Sequence, residues 1–282
     1  MQIKVITYNV NNSNRAVDSL VALCDSSYDL VLISIQEYYW FAILKYLKLD
    51  FKNYAHKYYE NIWGLVTIVL SPNELDIKWE KTCFGPMYCG NKGFITCVIN
   101  QSILFISAHL SHGQKNHRRE SELRKIAKSI DFYTKEGQNI PVILAGDLNF
   151  RLKRFNSNKY EEKDDQLSPL KTDLDFSEHP ITFSPTYKFK SRTSEYDTTR
   201  TPSYCDRILF RNVNVNSYKS VEDILFSDHR PVVLDCKILK LSQQNIINTN
   251  NVCQYSFISC FIFDYFVLFS ILLILLIYRA VI

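Results

Sequence analysis

The clearest chemical signal in the sequence is a pair of oxygen-bearing side chains that follows a short apolar run. Residues 142–145 are Val-Ile-Leu-Ala and predict a buried strand, and Gly146, Asp147 and Asn149 follow it. On extended backbone, residues i and i+2 point to the same side, so Asp147 and Asn149 project together from the end of a core strand. Such a pair suits a hard divalent cation or an attacking water. Taken alone, it also fits a strand that runs into an Asp/Asn turn.

Polar residues of catalytic type stand at the ends of several other predicted strands. Each of them, considered singly, fits a solvated strand end or a structural histidine as well as a catalytic group. A carboxylate and a histidine brought together from separate strands would make an oriented imidazole. The recurrence of such residues at strand ends is poorly explained by chance. The residues are Asn9, Glu37, His109, Asp206, Asp228 and His229.

The elements that must position these side chains alternate along the chain. Apolar residues at helical spacing predict helices over residues 16–24, 38–49 and 116–134, and residues 152–177 are charged and loop-like. Continuous apolar runs predict strands at 3–9, 30–35, 63–70, 94–99, 103–108, 142–145, 208–210 and 232–236. Basic residues near two of these elements fit either solvated surface or phosphate contacts, and they are Lys92, His117, Arg118 and Arg119.

Composition limits the classes of protein to which the chain can belong. Its 282 residues, 46% apolar and 22% charged, provide a core for one large or two small domains. The net charge is only +4, so the chain lacks the large excess of Lys and Arg that is typical of nucleic-acid-binding proteins, and no nucleic-acid partner is expected. The eight cysteines form no CxxC pair and are expected to be mostly reduced core residues of a cytosolic domain. The N-terminus has no signal-peptide pattern.

Residues 257–278 predict a transmembrane tail anchor. They contain sixteen Phe, Ile, Leu and Val residues and one charge, Asp264. The apolar residues favour insertion by very roughly 5–10 kcal/mol, and Asp264 opposes it by at most about 3 kcal/mol. A buried core helix and a helix lying in the interface are the alternatives. We expect a catalytic domain at residues 1–238, a polar linker at 239–256, and a membrane anchor that holds the domain on the cytosolic face of the endoplasmic reticulum.

The ordered series TYNVNN, QE, HL, GDLNFRL, PTYKF, PSYCDRIL and SDHRPV resembles the endonuclease/exonuclease/phosphatase superfamily. Within that superfamily it resembles the inositol polyphosphate 5-phosphatases, over residues 3–236. The resemblance implies an α/β fold, the four-layer α/β/β/α sandwich. Two mainly antiparallel sheets then lie face to face with helices outside, and the active site lies at one end of the sheets.

The resemblance also implies roles for individual residues. Glu37 would ligate Mg²⁺, with Asn9 and Asp228 beside it. Asp147 and Asn149 would position the attacking water and a phosphate oxygen, and which of Asp147 and His229 takes the water's proton stays open. Asp206 would orient His229, and His109 would hydrogen-bond the scissile phosphate. Residues implied to hold ring phosphates, the 4-phosphate above all, are Arg151, Tyr187, Lys188 and Arg207, with Lys92, Arg118 and Arg119 as candidates for outer contacts.

The sequence departs from the family pattern at two kinds of position. Tyr8 and Tyr204 stand where the family usually has Trp, and the loop at 199–201 is shorter than usual and lacks lysine.

The leading hypothesis is a monomeric, Mg²⁺-dependent enzyme that hydrolyses the 5-phosphate of phosphoinositides, such as phosphatidylinositol 4,5-bisphosphate, at a membrane surface. The alternatives are a soluble inositol polyphosphate 5-phosphatase, a neutral sphingomyelinase-like phosphodiesterase and a non-enzymatic phosphoinositide-binding scaffold.

Overall fold

A computed structural model of the chain describes residues 1–25, 27–38, 49–85, 91–114, 116–134, 139–155 and 160–238. Three α-helices occur in this part of the chain: α1 (Asn14–Leu23), α2 (Asn116–Tyr133) and α3 (Ser168–Asp173). The strands there are β1 (Gln2–Asn9), β2 (Leu30–Tyr38), β3 (His56–Ile62), β4 (Gly64–Ser71), β5 (Ile77–Cys83), β6 (Gly93–Ile99), β7 (Ile103–His109), β8 (Val142–Asp147), β9 (Asp206–Arg211), β10 (Asn214–Ser220) and β11 (Val232–Lys237).

These strands form two mixed sheets. Sheet I has the order β10-β11-β1-β2-β4-β3, and sheet II has the order β5-β6-β7-β8-β9. Neighbours pair antiparallel except β1 with β2 and β7 with β8, which are parallel. Parallel neighbours end at the same edge of a sheet. Each sheet therefore delivers two adjacent strand ends to one end of the molecule.

The layers follow from which face of each strand is apolar. The inner faces of the two sheets share one core cluster, in which Val5 and Leu32 of sheet I pack with Phe105 and Ile143 of sheet II. Helix α1 covers the outer face of sheet I, and α2 covers the outer face of sheet II. The order helix, sheet, sheet, helix confirms the predicted four-layer architecture.

Most of the predicted strands are covered on both faces. A strand with a helix on one side and a sheet on the other becomes a continuous apolar run, and β1, β4, β6, β7 and β8 are of this kind. Sequence reasoning missed β3, β5 and β10, which are edge strands whose residues are mostly half-buried or exposed. It also missed α3, one short helix within the segment predicted to be loop-like.

Several predictions concern residues outside the described part of the chain. The helix predicted at 38–49 falls there except at its ends, and Tyr38 belongs to β2. The linker at 239–256 and the apolar segment at 257–278 also lie outside it. None of the helices that the structure does describe is long and apolar enough to cross a bilayer.

The cysteine prediction holds in part. Cys24, Cys97, Cys205 and Cys236 are free and buried, as expected of reduced core residues. Cys83, at the end of β5, is disulfide-bonded, which corrects the expectation at that position.

Candidate active site

Asp147, the last residue of β8, is the centre of a buried polar cluster. Its side chain is 2% exposed. Asn9 Nδ2 donates a 2.9 Å hydrogen bond to Asp147 Oδ2, and His109 Nε2 lies 3.4 Å from the same oxygen. The backbone N–H of Asn149 donates to Asp147 Oδ1 at 3.0 Å. Four residues predicted from three separate strand ends therefore meet at one carboxylate.

The pairing of β7 with β8 places His109 beside Asp147. In this parallel ladder His109 is opposite Asp147, and Ala108 is opposite Gly146. A Cβ atom on Gly146 would lie 1.9 Å from the Ala108 carbonyl oxygen. Only glycine permits this approach, so the residue before Asp147 is dictated by the closeness of the two strands.

Glu37 reaches the site through an irregularity in β2. The register of β2 against β4 shifts between Gln36 and Tyr38, and Glu37 has φ +57°. Such a backbone costs a non-glycine residue about 1–3 kcal/mol, and bulges of this kind re-aim a side chain. Glu37 Oε1 lies 3.8 Å from His109 Nε2, with the side chain 33% exposed. The carboxylate thus faces the open side of the cluster.

The second histidine is held by a buried carboxylate. Asp206 Oδ2 lies 2.8 Å from His229 Nδ1 and accepts a 2.7 Å hydrogen bond from Thr186 Oγ1. Asp206 is fully buried. The pair has the geometry of an oriented imidazole, as the sequence predicted for Asp206 and His229.

The loop before β11 ties His229 to β1. Ser227 Oγ donates to the Asn9 carbonyl at 2.7 Å and accepts from the His229 backbone N–H at 3.2 Å. Asp228 lies between these residues, half-buried, and its carbonyl accepts a 2.9 Å hydrogen bond from the Phe189 N–H. Asp228 is therefore at the edge of the cluster.

The charges around the two histidines shift their pKa values in opposite directions. Burial lowers the pKa of His229, but the charge and hydrogen bond of Asp206 outweigh burial and raise it to about 9. Burial and the positive charge of Lys92 lower the pKa of His109. Burial would raise the pKa of Asp147, but the hydrogen bond with His109 and the nearby positive charges hold it well below its usual range. At neutral pH the cluster combines an imidazolium, a neutral imidazole and a carboxylate.

Three basic residues and a tyrosine line the rim of this cluster. Arg151 donates from a terminal nitrogen to Asn149 Oδ1 at 2.7 Å, and its guanidinium lies over the Tyr187 ring, 4.4 Å from the centroid. The Tyr187 ring in turn packs on the His229 imidazole, with centroids 4.4 Å apart. Lys92 Nζ contacts His109 Nε2, and Lys188 pairs with Asp197 at 3.2 Å.

Arg207 corrects the sequence prediction of a substrate contact. It is fully buried, with Nε donating to Glu178 at 2.6 Å and a terminal nitrogen donating to Asp165 at 2.7 Å. Successive side chains of a strand point to opposite faces, so Asp206 faces the site while Arg207 faces away from it. Arg207 holds the 160–178 segment against β9.

Arg118 and Arg119 bind protein groups beside the site. Arg118 donates to Glu122 at 3.1 Å and to the Phe84 carbonyl at 2.8 Å. Arg119 is buried and donates to the Gly113 carbonyl at 2.7 Å and to Gln166 Oε1 at 2.9 Å. Arg119 also lines a cleft beside Arg151, and the outer phosphate contacts of both arginines stay predictions.

Sequence reasoning missed three supporting residues. Thr186 and Ser227 lie inside the motifs PTYKF and SDHRPV, and a polar residue next to a catalytic position was the available signal. Gln166 Oε1 accepts from both Arg119 and the Arg151 backbone N–H. Nothing in the sequence marked Gln166, because it lies in a segment predicted as a charged loop.

The oxygen donors at the open side of the cluster fit a divalent cation. Carboxylate and amide oxygens are the ligands that hard cations such as Mg²⁺ prefer, and Glu37, Asn9 and the ionised Asp147 supply them. Among the described residues, Asp147, Asp206 and His229 also bring ligand atoms within 4.8 Å of one another. We favour the first set, because Asp206 and His229 already bond each other and Asp206 is fully buried.

Comparison with known proteins agrees with the fold and with the family that the motifs indicate. The profile of endonuclease/exonuclease/phosphatase family 2 matches residues 6–235. The chain belongs to this family. A type IV inositol polyphosphate 5-phosphatase (number 11) from Arabidopsis thaliana is 29% identical over 276 aligned residues, covering 83% of this chain and 81% of that protein. The phosphatidylinositol 4,5-bisphosphate 5-phosphatase INP51 from Saccharomyces cerevisiae is 38% identical over 186 residues, 56% of this chain.

The chain spans only 19% of the length of INP51. A solved structure, the 5-phosphatase domain of SPsynaptojanin with inositol (1,4)-bisphosphate and a calcium ion, superposes with a TM-score of 0.68, 24% identity and 83% coverage of both chains. This likeness supports the fold. The resemblance to inositol polyphosphate 5-phosphatases is confirmed, and with it the assignment of the chain as a phosphoric monoester hydrolase.

Proposed function

We propose that the chain hydrolyses the 5-phosphate of phosphoinositides, such as phosphatidylinositol 4,5-bisphosphate, with Mg²⁺ as its cofactor. The observation that carries the proposal is the convergence on Asp147 of Asn9, His109 and the Asp206–His229 pair. The names of the relatives from Arabidopsis thaliana and Saccharomyces cerevisiae support the substrate class.

The protonation states support distinct roles for the two histidines. A phosphomonoester carries nearly two negative charges, and in the transition state charge spreads over its equatorial oxygens. The His229 imidazolium supplies a positive charge that Asp206 holds in place, so it serves as a hydrogen-bond donor to phosphate. His109 is neutral at the same pH, so the single N–H of its ring serves either the phosphate or Asp147 and adds no positive charge.

Asp147 orients the attacking water. With a pKa well below its usual range, its carboxylate is a weak base. The loose transition state of phosphoryl transfer requires little deprotonation of the nucleophile before attack, so a weakly basic acceptor at the right position is sufficient. His229 is protonated at neutral pH and does not take the proton. We therefore assign Asp147 as the residue that positions the nucleophile.

A divalent cation held by Glu37 and Asn9, with Asp147 beside them, would neutralise phosphate charge and act as a Lewis acid. Arg151 and Tyr187 form a wall next to the His229 ring. Arg151 would pair with a second phosphate of the substrate, and the Tyr187 ring would bound the inositol ring. Lys188 can join them by exchanging its pairing with Asp197 for a phosphate.

A substrate comparison tests the proposal. Full-length protein in detergent is given phosphatidylinositol 4,5-bisphosphate, soluble inositol 1,4,5-trisphosphate or sphingomyelin, each with Mg²⁺ and with EDTA. We expect Mg²⁺-dependent phosphate release from the lipid and no choline-phosphate release from sphingomyelin. Faster turnover of the soluble trisphosphate than of the lipid would replace the lipid assignment with the soluble one. Release of phosphate in EDTA at an undiminished rate would refute the metal dependence.

We also propose that the enzyme acts at a membrane surface to which residues 257–278 anchor it. The support is compositional: this segment is long and apolar enough to span a bilayer. Cell fractionation tests it. The full chain should remain with membranes, and specifically with endoplasmic reticulum markers, after alkaline carbonate extraction, while a chain that ends at residue 238 should be released. Retention of the shortened chain would show that another part of the protein holds it there.

A further inference from the structure

A buried chain of polar side chains connects the two sheets directly beneath the active site. It consists of Thr7 on β1, Ser34 and Gln36 on β2, and Ser107 on β7, all 0% exposed. Ser34 Oγ and Ser107 Oγ lie 2.6 Å apart across the space between the sheets. Gln36 Nε2 donates to Ser34 Oγ at 2.6 Å and to Thr7 Oγ1 at 3.1 Å. We call these four residues the polar layer.

Thr7, Ser34 and Ser107 lie one pleat below the catalytic residues, and Gln36 is level with Asn9 in sheet I. Side chains two positions apart on a strand share a face, so Thr7 points to the same side of β1 as Asn9. Ser107 points to the same side of β7 as His109 for the same reason. In sheet I, Thr7 is the direct neighbour of Ser34 in the ladder. The inner space therefore passes from apolar core, through the polar layer, to the catalytic cluster.

Apolar side chains would fill this space at lower cost if packing were the only requirement. Buried hydroxyl and amide groups destabilise a core unless each of them is hydrogen-bonded. All four members of the polar layer have partners, whereas the buried hydroxyls of Thr67 and Thr96 in the same sheets have none among the described residues. Fully satisfied networks rigidify a core and specify one arrangement of it.

The catalytic cluster depends on the distance and register between the sheets. Asn9 belongs to sheet I, and His109 and Asp147 belong to sheet II, yet Asn9 and His109 contact the same oxygen of Asp147. Apolar surfaces tolerate sliding, while a hydrogen bond fixes its two atoms within a few tenths of an ångström. The Ser34–Ser107 contact thus sets the separation of β2 and β7 just below the point where the cluster requires it.

We propose that Thr7, Ser34, Gln36 and Ser107 are positioning residues, which hold the two sheets in the arrangement that lets Asn9 and His109 meet at Asp147. None of them touches the reacting atoms. The proposal rests on the proposed phosphatase activity only for its kinetic readout.

A matched pair of substitutions tests whether the polar layer positions the site or only fills the core. Thr7→Val and Thr67→Val remove the same hydroxyl from two buried positions that flank Ser34 in the same row of sheet I. Misplacement of catalytic groups by a fraction of an ångström lowers kcat, so we expect Thr7→Val to reduce kcat about tenfold while KM changes less than about twofold. Thr67→Val should change neither. Equal effects of the two substitutions, or an unchanged kcat in Thr7→Val, would overturn the proposal.

A double-mutant cycle separates positioning from stability. Ser34→Ala and Ser107→Ala each leave a hydroxyl without its partner across the sheets, and both should lower the unfolding midpoint. The double variant leaves no unpaired hydroxyl at this contact, although Gln36 Nε2 still loses its Ser34 acceptor, so its midpoint should rise above that of Ser34→Ala. If the layer positions the site, kcat of the double variant stays low. Recovery of kcat together with the midpoint would mean that the layer is packing alone.

A spectroscopic measurement makes the test independent of the substrate. The ring signals of His109 and His229 are recorded by NMR in the full chain. Ser34→Ala should shift the His109 signals more than those of His229, because Ser34 contacts Ser107 on the strand that carries His109, whereas His229 is tied to β1 through Ser227. If the wild type turned over no phosphoester, the proposed function would fail and this comparison would still decide the inference. Unmoved His109 signals would refute it.

Discussion

The two histidines of the site lie near the same carboxylate in opposite electrostatic surroundings. His229 is bonded to the buried Asp206, which raises its pKa to about 9, whereas His109 contacts Lys92 and has a lowered pKa. Both rings are nearly inaccessible to solvent. Burial is therefore common to the two, and the charge of one neighbour decides which ring is protonated. The comparison shows how one pocket can hold a cationic and a neutral imidazole at the same pH.

Removing the carboxylate near both rings should have the largest effect. Asp147→Asn keeps the size of the side chain but removes the charge that we propose orients the attacking water, and we expect kcat to fall by roughly 10⁴-fold or more. Steady-state phosphate release measures it. Asp131→Asn, at an exposed carboxylate, is the control for loss of one charge and should keep wild-type kcat. Activity of Asp147→Asn within about tenfold of the wild type would reject the site assignment.

Asp206→Asn should reduce the difference between the two histidines by lowering the pKa of His229. We expect kcat to fall by about 10²- to 10³-fold, because His229 loses its orienting charge. In the wild type the imidazolium is lost as pH rises through about 9, so activity should decline there. In Asp206→Asn the decline should move to lower pH. An alkaline limb that stays in place would show that another group produces it.

The same pair predicts how stability depends on pH. The pKa of folded His229 is above its unfolded value of about 6.5, so the stability from the ion pair is complete below that pH. It is then lost as pH rises toward about 9. Chemical denaturation of the wild type should therefore show a falling free energy of unfolding across this window. In Asp206→Asn the free energy of unfolding should change less with pH across this window. An identical slope in both proteins would contradict the assignment.

Lys92→Met should affect His109, with a smaller loss of kcat than Asp206→Asn. Loss of the nearby positive charge raises the pKa of His109, although burial still opposes protonation. We expect kcat to fall by about tenfold or less. NMR titration of the metal-free protein measures the pKa directly, with the His229 ring as internal reference. A His109 pKa that falls in this variant would contradict the proposed influence of Lys92.

Arg207→Lys should have the smallest effect on either histidine. The substitution keeps the charge but loses the paired hydrogen bonds to Glu178, so we expect the free energy of unfolding to fall by about 1–3 kcal/mol. KM and the pH profile should match the wild type, because Arg207 faces away from the site. A selective rise in KM would restore the substrate contact that the sequence suggested.

The sequence was informative where a functional residue stands at the end of an apolar strand. Buried strands ended at Asn9, His109 and Asp147, and an apolar run followed by a polar residue is visible without a structure. The family motifs supplied the pairing of Asp206 with His229, which are distant in the chain. Both predictions depended on short local patterns.

The missed features depend on surroundings that a local pattern does not contain. The edge strands β3 and β5 have one partner each and half-buried polar residues, so they lack an apolar signature. The positive φ of Glu37 follows from a register shift against β4. Arg207 belonged to a motif, but the alternation of β9 already placed it opposite Asp206. Gln166 acquires its role only when its segment packs against Arg119 and Arg151.

The contact between Gly146 and Ala108 affects how mutational libraries of this region should be interpreted. Even alanine at position 146 would collide with the neighbouring main chain. A library that randomises the GDLNF stretch and is screened only for soluble expression should return glycine at that position. Enrichment of Gly146 in an activity screen therefore reports the assembly of the two strands, whereas enrichment of Asp147 would support its proposed role in turnover.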